Sequence, residues 1–287
     1  MKKILLLFTV AIITTYGVSA QVFKRQLHEL SFHAGVGFST LQYDMQTGKH
    51  KNGIGFQLGG GYAYFFHRDW AVRTGLEIAF YNANASLKNF SDSYDVKGAM
   101  PEGNYTFSYA IDNYSETQQS LYVNIPLMLQ FQTGRTYRMY AAFGGKVGFP
   151  VNATAKIKKH NLSTKGYFPK EGRTYDDLPQ FGLGEYEYLK RSIGLDKFKL
   201  NYMLSAEAGL KWKVLKGNDL YTGIYADYGL NNIQKTNDKT FVKSALTSEK
   251  LTVSPLIESQ ISETGIPFTN SIRLLAVGLR LRFTFLQ

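Results

Sequence analysis

Apolar residues recur at every second position in eight separate stretches of the chain, the period of a strand with one greasy face. The first sets Leu30, Phe32, Ala34, Val36 and Phe38 against Ser31, His33, Gly35 and Gly37, and the second sets Ile54, Phe56, Leu58, Tyr62 and Tyr64 against Gly55, Gln57, Gly59, Gly61 and Ala63. In the third, Trp70, Val72, Leu76, Ile78 and Phe80 oppose Ala71, Arg73, Gly75, Glu77 and Ala79. The fourth runs from Leu121 to Phe131, the fifth from Tyr137 to Phe149, the sixth from Phe198 to Val214, the seventh from Leu220 to Leu230 and the eighth from Leu275 to Phe285. Pro126 falls inside the fourth and has no N–H to give a neighbour, so a bulge or a missing ladder bond is expected there.

The connections alternate in length. Long ones cover about 39–53, 82–119, 151–197 and 231–271, and short ones cover 66–69, 132–136 and 215–219. Strands of this length, about 9–11 residues or more, suit a tilted membrane crossing, and bacterial outer-membrane barrels sort their loops in this way. The expected fold is therefore all-β: an eight-stranded antiparallel transmembrane β-barrel with short periplasmic turns, long extracellular loops and both termini periplasmic. A soluble β-sandwich has no reason to sort its loops by end. Phe65, Trp70, Phe131, Tyr137, Trp212, Phe283 and Phe285 flank the short turns and are expected to form an aromatic girdle.

Export is read from the start of the chain. Lys2 and Lys3 precede the apolar run Ile4 to Ile13, and Val18-Ser19-Ala20 makes a small-residue cleavage site before Gln21. Residues 1–20 are expected to be a signal peptide and 21–287 the barrel domain; a ten-residue stretch is too short to span a bilayer as a helix. With no cysteine, neither a lipid anchor nor a disulfide framework is available. The formal charge of +11 falls to +9 once Lys2 and Lys3 leave, and the remaining basic residues are scattered, so nucleic acid is not an expected partner.

The Leu121-Tyr122-Val123-Asn124-Ile125-Pro126-Leu127-Met128-Leu129 segment, Gly59-Gly60-Gly61-Tyr62, Arg73-Thr74-Gly75-Leu76 and the closing Val277-Gly278-Leu279-Arg280-Leu281-Arg282-Phe283 resemble the PorT-like outer-membrane β-barrel family of Bacteroidetes. The resemblance covers the mature chain and implies the barrel fold and, through the family's name-giving member, a link to protein secretion; the expected function is a non-enzymatic, surface-exposed binding or scaffold role. It departs at the end, where Leu286 and Gln287 follow Phe285 in place of a terminal aromatic residue.

Candidate chemistry is sparse. Arg73, Glu77, Arg138, Lys146, Glu207, Lys211, Asp227, Arg280 and Arg282 share the lumen parity with His33, Gln57, Asn124 and Asn201. Six bases against three acids leave an excess of positive charge, suited either to a narrow anion channel or to a salt-bridged core. No two of His28, His33, His50, His67 and His160 share a recognisable site; His33 near Ser31 is the least poor candidate for a lipid-modifying enzyme. Asp92 with Asp95, and Asp176 with Asp177, read as solvated loop carboxylates rather than calcium ligands. No catalytic residue, cofactor or metal site is assigned.

The long loops carry Tyr94, Tyr105, Phe107, Tyr109 and Tyr114, then Tyr167, Phe168, Tyr175, Phe181, Tyr186 and Tyr188 among Lys158, Lys159, Lys165, Lys170, Arg173, Lys190 and Arg191. These either recognise a partner or pack hairpins together. Expected partners are outer-membrane lipid and lipopolysaccharide, the assembly machinery, and secretion-system or surface proteins met through the loops. Val151 to Lys197 is expected to carry recognition and to be dispensable for folding.

Overall fold

The computed structural model describes residues 28–45, 47–99, 103–133, 138–196, 198–215, 218–245 and 251–286. The expected signal peptide and the start at Gln21 lie outside the described residues, as do Tyr137 and parts of two short turns.

Eight strands close into a ring: β1 (His28–Gln42), β2 (Lys49–Tyr64), β3 (Trp70–Leu87), β5 (Gly103–Thr133), β6 (Arg138–Phe168), β9 (Asn201–Leu215), β10 (Asn218–Gly229) and β15 (Arg273–Leu286). All eight pairings are antiparallel, and β1 against β15 makes the closure. Following paired residues from Phe38 through Val277, Ala226, Ala206, Phe143, Leu129, Val72 and Tyr64 returns to His28, ten positions down β1. That stagger tilts the strands by about 40° and leaves a bore that side chains fill.

Parity decides which side each residue takes. Phe38, Leu127, Phe143, Leu279 and Leu281 are each more than half exposed, while Gln57, Glu77, Asn124, Glu207 and Asp227 are almost wholly buried. A continuous apolar outer band over a polar interior is the inverse of a soluble protein, and it places this ring in a bilayer. The band therefore replaces Leu279→Arg poorly: an arginine at mid-bilayer is expected to cost about 2–4 kcal/mol, read as a lower urea midpoint in lipid vesicles. Asn124→Arg, expected from its lumen parity not to follow that depth dependence, is not a fair contrast. Asn124 is fully buried and donates to Glu77, so an arginine there would set a further cation into the ion-paired lumen.

Inward glycines make that filling possible. A Cβ on Gly35 would meet the Tyr225 ring at 3.0 Å, and one on Gly223 would meet the Tyr140 hydroxyl at 2.5 Å. Each tyrosine occupies the space its facing glycine leaves. Pro126 keeps register with β3 but interrupts the ladder: pairing passes from Thr74 with Leu127 to Glu77 with Asn124. The Thr74 hydroxyl donates to the Pro126 carbonyl at 2.9 Å, so the ladder loses bonds without a bulge.

At the short-turn end, Trp70, Phe131, Trp212 and Phe285 are exposed and Phe283 half-exposed, as expected of a girdle. Phe65 is the exception. It turns inward, 5% exposed, with the Lys211 ammonium 5.7 Å above its ring.

The long connections are not loops in the expected sense. Beyond the apolar band β5 and β6 continue as paired strands, flanked by β4 (Phe90–Ala99) on β5 and by β7 (Arg173–Tyr175) and β8 (Gly184–Gly194) on β6. The last connection adds β11 (Lys239–Thr240) with β14 (Ser259–Gln260), and β12 (Val242–Lys243) with β13 (Thr252–Val253). Together they form a cap with a core of its own, centred on Phe241 and built from Phe90, Tyr105, Phe107, Tyr109, Tyr114 and Phe268 among others.

Candidate functional site

The lumen holds two layers. Nearer the short turns is a polar network, and at its centre the Glu77 carboxylate accepts from Lys146 Nζ (2.8 Å), Arg280 Nη2 (2.8 Å), His33 Nε2 (3.1 Å) and Asn124 Nδ2 (3.1 Å). Lys146 reaches on to Asp227 at 2.9 Å, which also accepts from Gln57 Nε2 (2.7 Å) and Ser205 Oγ (2.6 Å). Glu207 accepts from Arg73, from Arg280 Nη1 (3.2 Å) and from the Tyr140 hydroxyl (2.8 Å), and Arg280 also donates to Gln57.

Closer to the mouth, Lys211 bridges Glu29 (2.7 Å) and Asp219 (3.0 Å), and the Tyr221 hydroxyl donates to Glu29 at 3.0 Å. Arg282 donates to Gln130 and stacks 3.9 Å over the Tyr221 ring. A buried cation resting on an aromatic face gains attraction that water would otherwise supply.

This arrangement corrects the expected charge excess. Arg138 is only half-buried at the mouth, and Glu29 and Asp219 join the interior. Among the described residues the lumen then holds five buried carboxylates (Glu29, Glu77, Glu207, Asp219, Asp227) and five cationic side chains (Arg73, Lys146, Lys211, Arg280, Arg282), beside His33. Paired charges of this kind cancel the field that would draw an anion through. The space left is small: the cavity bounded by His33, Arg73, Glu77, Lys146, Arg280 and Arg282 measures about 10 Å³, room for a single water.

Above the network the bore turns apolar. Leu41, Tyr81, Tyr122, Tyr225, Ile233, Ile257, Ile272 and Leu274 pack across it, and Phe198, expected on the outer face, folds in beside them. The lumen is closed by charge pairing below and by hydrocarbon above.

Among the described residues the histidines lie apart from one another. His33 pairs with Glu77, while Ser31 donates to the Gly61 carbonyl, so the Ser31 and His33 pairing is not formed. His50 meets Thr40 at 2.8 Å and the Tyr43 ring at 4.6 Å, His28 lies against Tyr62 and Tyr64, and His67 stays in its turn. The side chain of His160 is outside the described residues.

In the cap, Asp92 is a clamp. Its carboxylate accepts from the Tyr109 hydroxyl (2.8 Å) and from the backbone N–H groups of Ser93 (2.9 Å), Ser262 (2.7 Å) and Glu263 (3.0 Å), tying the second long connection to the fourth. Asp95 accepts from Thr106, and Asp176 pairs loosely with Lys165 at 3.8 Å. Among the described residues no group of His, Asp or Glu side chains is gathered to hold a metal ion. Asp92→Ala would strand those donors in a buried site, at about 1–3 kcal/mol. The expected result is faster protease cleavage at residues 259–266 with an unchanged barrel.

Glu116 works in the same way at the junction of cap and barrel. It accepts from the Tyr114 hydroxyl (2.6 Å), Gln118 Nε2 (2.6 Å) and the Leu256 N–H (3.2 Å), and Gln118 in turn takes the Tyr43 hydroxyl at 2.9 Å. Complete burial pushes its carboxyl above the usual carboxylate range against those hydrogen bonds.

Most of the aromatic residues of the long connections pack the hairpins together. Tyr105, Phe107, Tyr109, Tyr114 and Phe168 are buried in the cap core, and Tyr94, Tyr175, Phe181 and Tyr186 pack against it. Tyr167 remains 45% exposed, close to exposed Lys165, Lys170 and Arg173 at the tip of the β6–β7 hairpin.

Sequence comparison agrees with the ring. Residues 19–235 match the family model described as outer membrane protein beta-barrel domain. The chain belongs to this family. An outer-membrane location follows for this barrel. Among curated proteins none matches the sequence. Solved structures similar to it include Neisserial surface protein A (9% identical, covering 89% of this chain and 95% of that one, TM-score 0.34) and OprG from Pseudomonas aeruginosa (13%, 90% and 99%, TM-score 0.33). Ail of Yersinia pestis, solved with the heparin analogue sucrose octasulfate, is 13% identical over 90% of this chain and 99% of that one, with a TM-score of 0.31. No helix among the described residues is long and apolar enough to cross a membrane, so the crossing rests on the strands.

Proposed function

We propose that this outer-membrane barrel is a non-enzymatic anchor that presents a folded recognition domain at the cell surface, with its termini in the periplasm. One observation carries the reading: β5 and β6, 31 residues each, run past the apolar band into a cap with a large aromatic core of its own. Strands that only cross a bilayer need about 9–11 residues, so the remainder serves something outside it. The loop sorting supports the orientation, since barrels of this membrane keep short turns inside and long connections outside. The resemblance to PorT-like proteins supports a partner in the secretion apparatus. The β6–β7 tip, with Tyr167, Lys165, Lys170 and Arg173, is the face assigned to contact.

A closed, charge-balanced lumen weighs against the narrow anion channel. Purified protein in planar bilayers is expected to give no stable conductance steps; reproducible steps would favour the channel. The contact face is tested by crosslinking and pulldown from native outer membranes. Lys165→Glu with Lys170→Glu and Arg173→Glu is expected to lose the captured partner while the barrel stays heat-modifiable. An identical catch from both proteins would move recognition elsewhere.

A further inference from the structure

Carboxylates and cations of the lumen balance in number but not in place. Lys146, Arg73 and Arg280 share Glu77, Asp227 and Glu207, and Lys211 holds both Glu29 and Asp219. Arg282 is left over. It is 3% exposed, and no carboxylate of the described residues lies within ion-pair distance of it. Its Nη2 donates to the neutral Gln130 Oε1 at 2.8 Å, and its guanidinium carbon lies 3.9 Å from the centre of the Tyr221 ring and 5.2 Å from that of Tyr140. A buried cation held only by neutral groups is strongly disfavoured, so something of negative charge belongs beside it.

Arg282 also forms part of the wall of the 10 Å³ cavity, together with His33, Arg73, Lys146 and Arg280. Among the residues of that wall, the buried polar atoms without a hydrogen-bond partner are Arg280 Nε and Arg282 Nε, and both are donors. Gln130, which accepts from Arg282, leaves a third buried donor in its Nε2. The one carboxylate of the wall, Glu77, already takes four donors. The capacity left at this place is therefore of one kind. Water brings hydrogens that need acceptors of their own, whereas a halide only accepts. With room for a single atom, the cavity excludes phosphate, sulfate and carboxylates.

We propose that this cavity holds one chloride ion as the counter-ion of Arg282. The ion takes the Nε–H groups of Arg282 and Arg280, with Arg73 and Lys146 as further positive charges on the wall. It belongs to the plug and does not pass through, because the apolar layer closes the bore on the cap side. The assignment does not depend on the role given to the cap.

Full-length mature protein is refolded in phosphatidylcholine vesicles in sodium gluconate, whose anion is too large for the cavity. Chloride then replaces gluconate at constant ionic strength. The urea midpoint of the native protein is expected to rise with chloride and to level off as the site fills, a saturation that non-specific salt effects do not show. In Arg282→Gln the half-saturating chloride concentration should increase by at least about tenfold, the share of one charged hydrogen bond. Arg138→Gln, at the half-open mouth, should keep the native response. Crystals grown in sodium bromide should show an anomalous peak between Arg280 and Arg282. A native midpoint indifferent to chloride, or a bromide map with no peak in this cavity, overturns the proposal and leaves the cavity to water. An unchanged response in Arg282→Gln overturns it as well, since the ion then binds elsewhere. If that variant fails to fold, the native chloride series and the bromide map decide.

Discussion

Glu77→Ala is expected to be the most damaging single substitution in the barrel. The carboxylate has four donors on it, two of them full cations, and is 1% exposed. Removing it leaves Lys146 leaning on Asp227 alone and Arg280 with Glu207 as its remaining carboxylate, in a bore whose free space is about 10 Å³. Deleting one member of a buried ion pair costs about 3–5 kcal/mol, mostly as the penalty of an uncompensated charge. Urea unfolding in lipid vesicles, followed by gel mobility without boiling, should show that loss or a failure to fold. Glu77→Gln keeps the volume and part of the hydrogen bonding, so its loss should be smaller. Arg138→Gln, at the half-open mouth, should fall within about 0.5 kcal/mol of the native protein. Adding Lys146→Ala to Glu77→Ala should cost less than the two single losses combined, because the second change removes a cation the first had stranded.

That network was largely legible in the sequence, because parity along a strand is a local property. Arg73, Glu77, Lys146, Glu207, Asp227 and Arg280 each sit one position from an apolar neighbour, and period two assigns their face without any knowledge of pairing. What the alternation missed lies at the ends of its runs. Glu29 continues the parity of Ser31 and His33, and Asp219 that of Tyr221 and Asp227, yet each borders a turn where the pattern fades. Two omitted acids, together with Arg138 counted inside when it sits half-buried at the mouth, were enough to turn a balanced core into an apparent anion-attracting one. Phe65 and Phe198 fail for the same reason: beyond the last ladder pair the chain is free to turn a ring inward, and period two stops applying.

The cap was less legible, for a different reason. Above the bilayer the hairpins are packed on one another, so tyrosines, phenylalanines and polar residues no longer sort into lipid and lumen faces. In β5 the buried residues Tyr105, Phe107, Tyr109 and Ile111 keep period two, but their small or polar neighbours Thr106, Ser108 and Ala110 resemble loop composition. Composition marked these segments as loops; only the partners from the fourth connection, Phe241, Leu256 and Phe268, make them a core.

Replacing Ala155 to Leu195 with a short Gly/Ser linker should therefore separate the two halves of the molecule. The excised stretch carries Ile157, Leu162, Phe168 and Leu183 of the cap core, and Ala155 and Leu195 of the apolar layer that closes the bore. It is thus part of the cap's core, while the barrel is still expected to fold without it. The ring itself keeps its eight pairings across the bilayer, since β6 still reaches Thr154 and meets β5 and β9. A closed ladder and an apolar band suffice for insertion, so the shortened protein should still enter vesicles and shift on heating. Its cap should not survive, because Tyr105, Phe107 and Phe241 lose the side chains that cover them. Phe241→Ala makes the same point with less disturbance: about 3–5 kcal/mol of local stability removed from the ring cluster formed with Tyr114 at 5.3 Å and Phe268 at 5.2 Å. Hydrogen exchange in residues 103–114 should then rise to near-unprotected rates while residues 121–131 stay protected. If both regions lose protection together, cap and barrel are one cooperative unit; if neither does, the aromatic cluster is not what holds the cap.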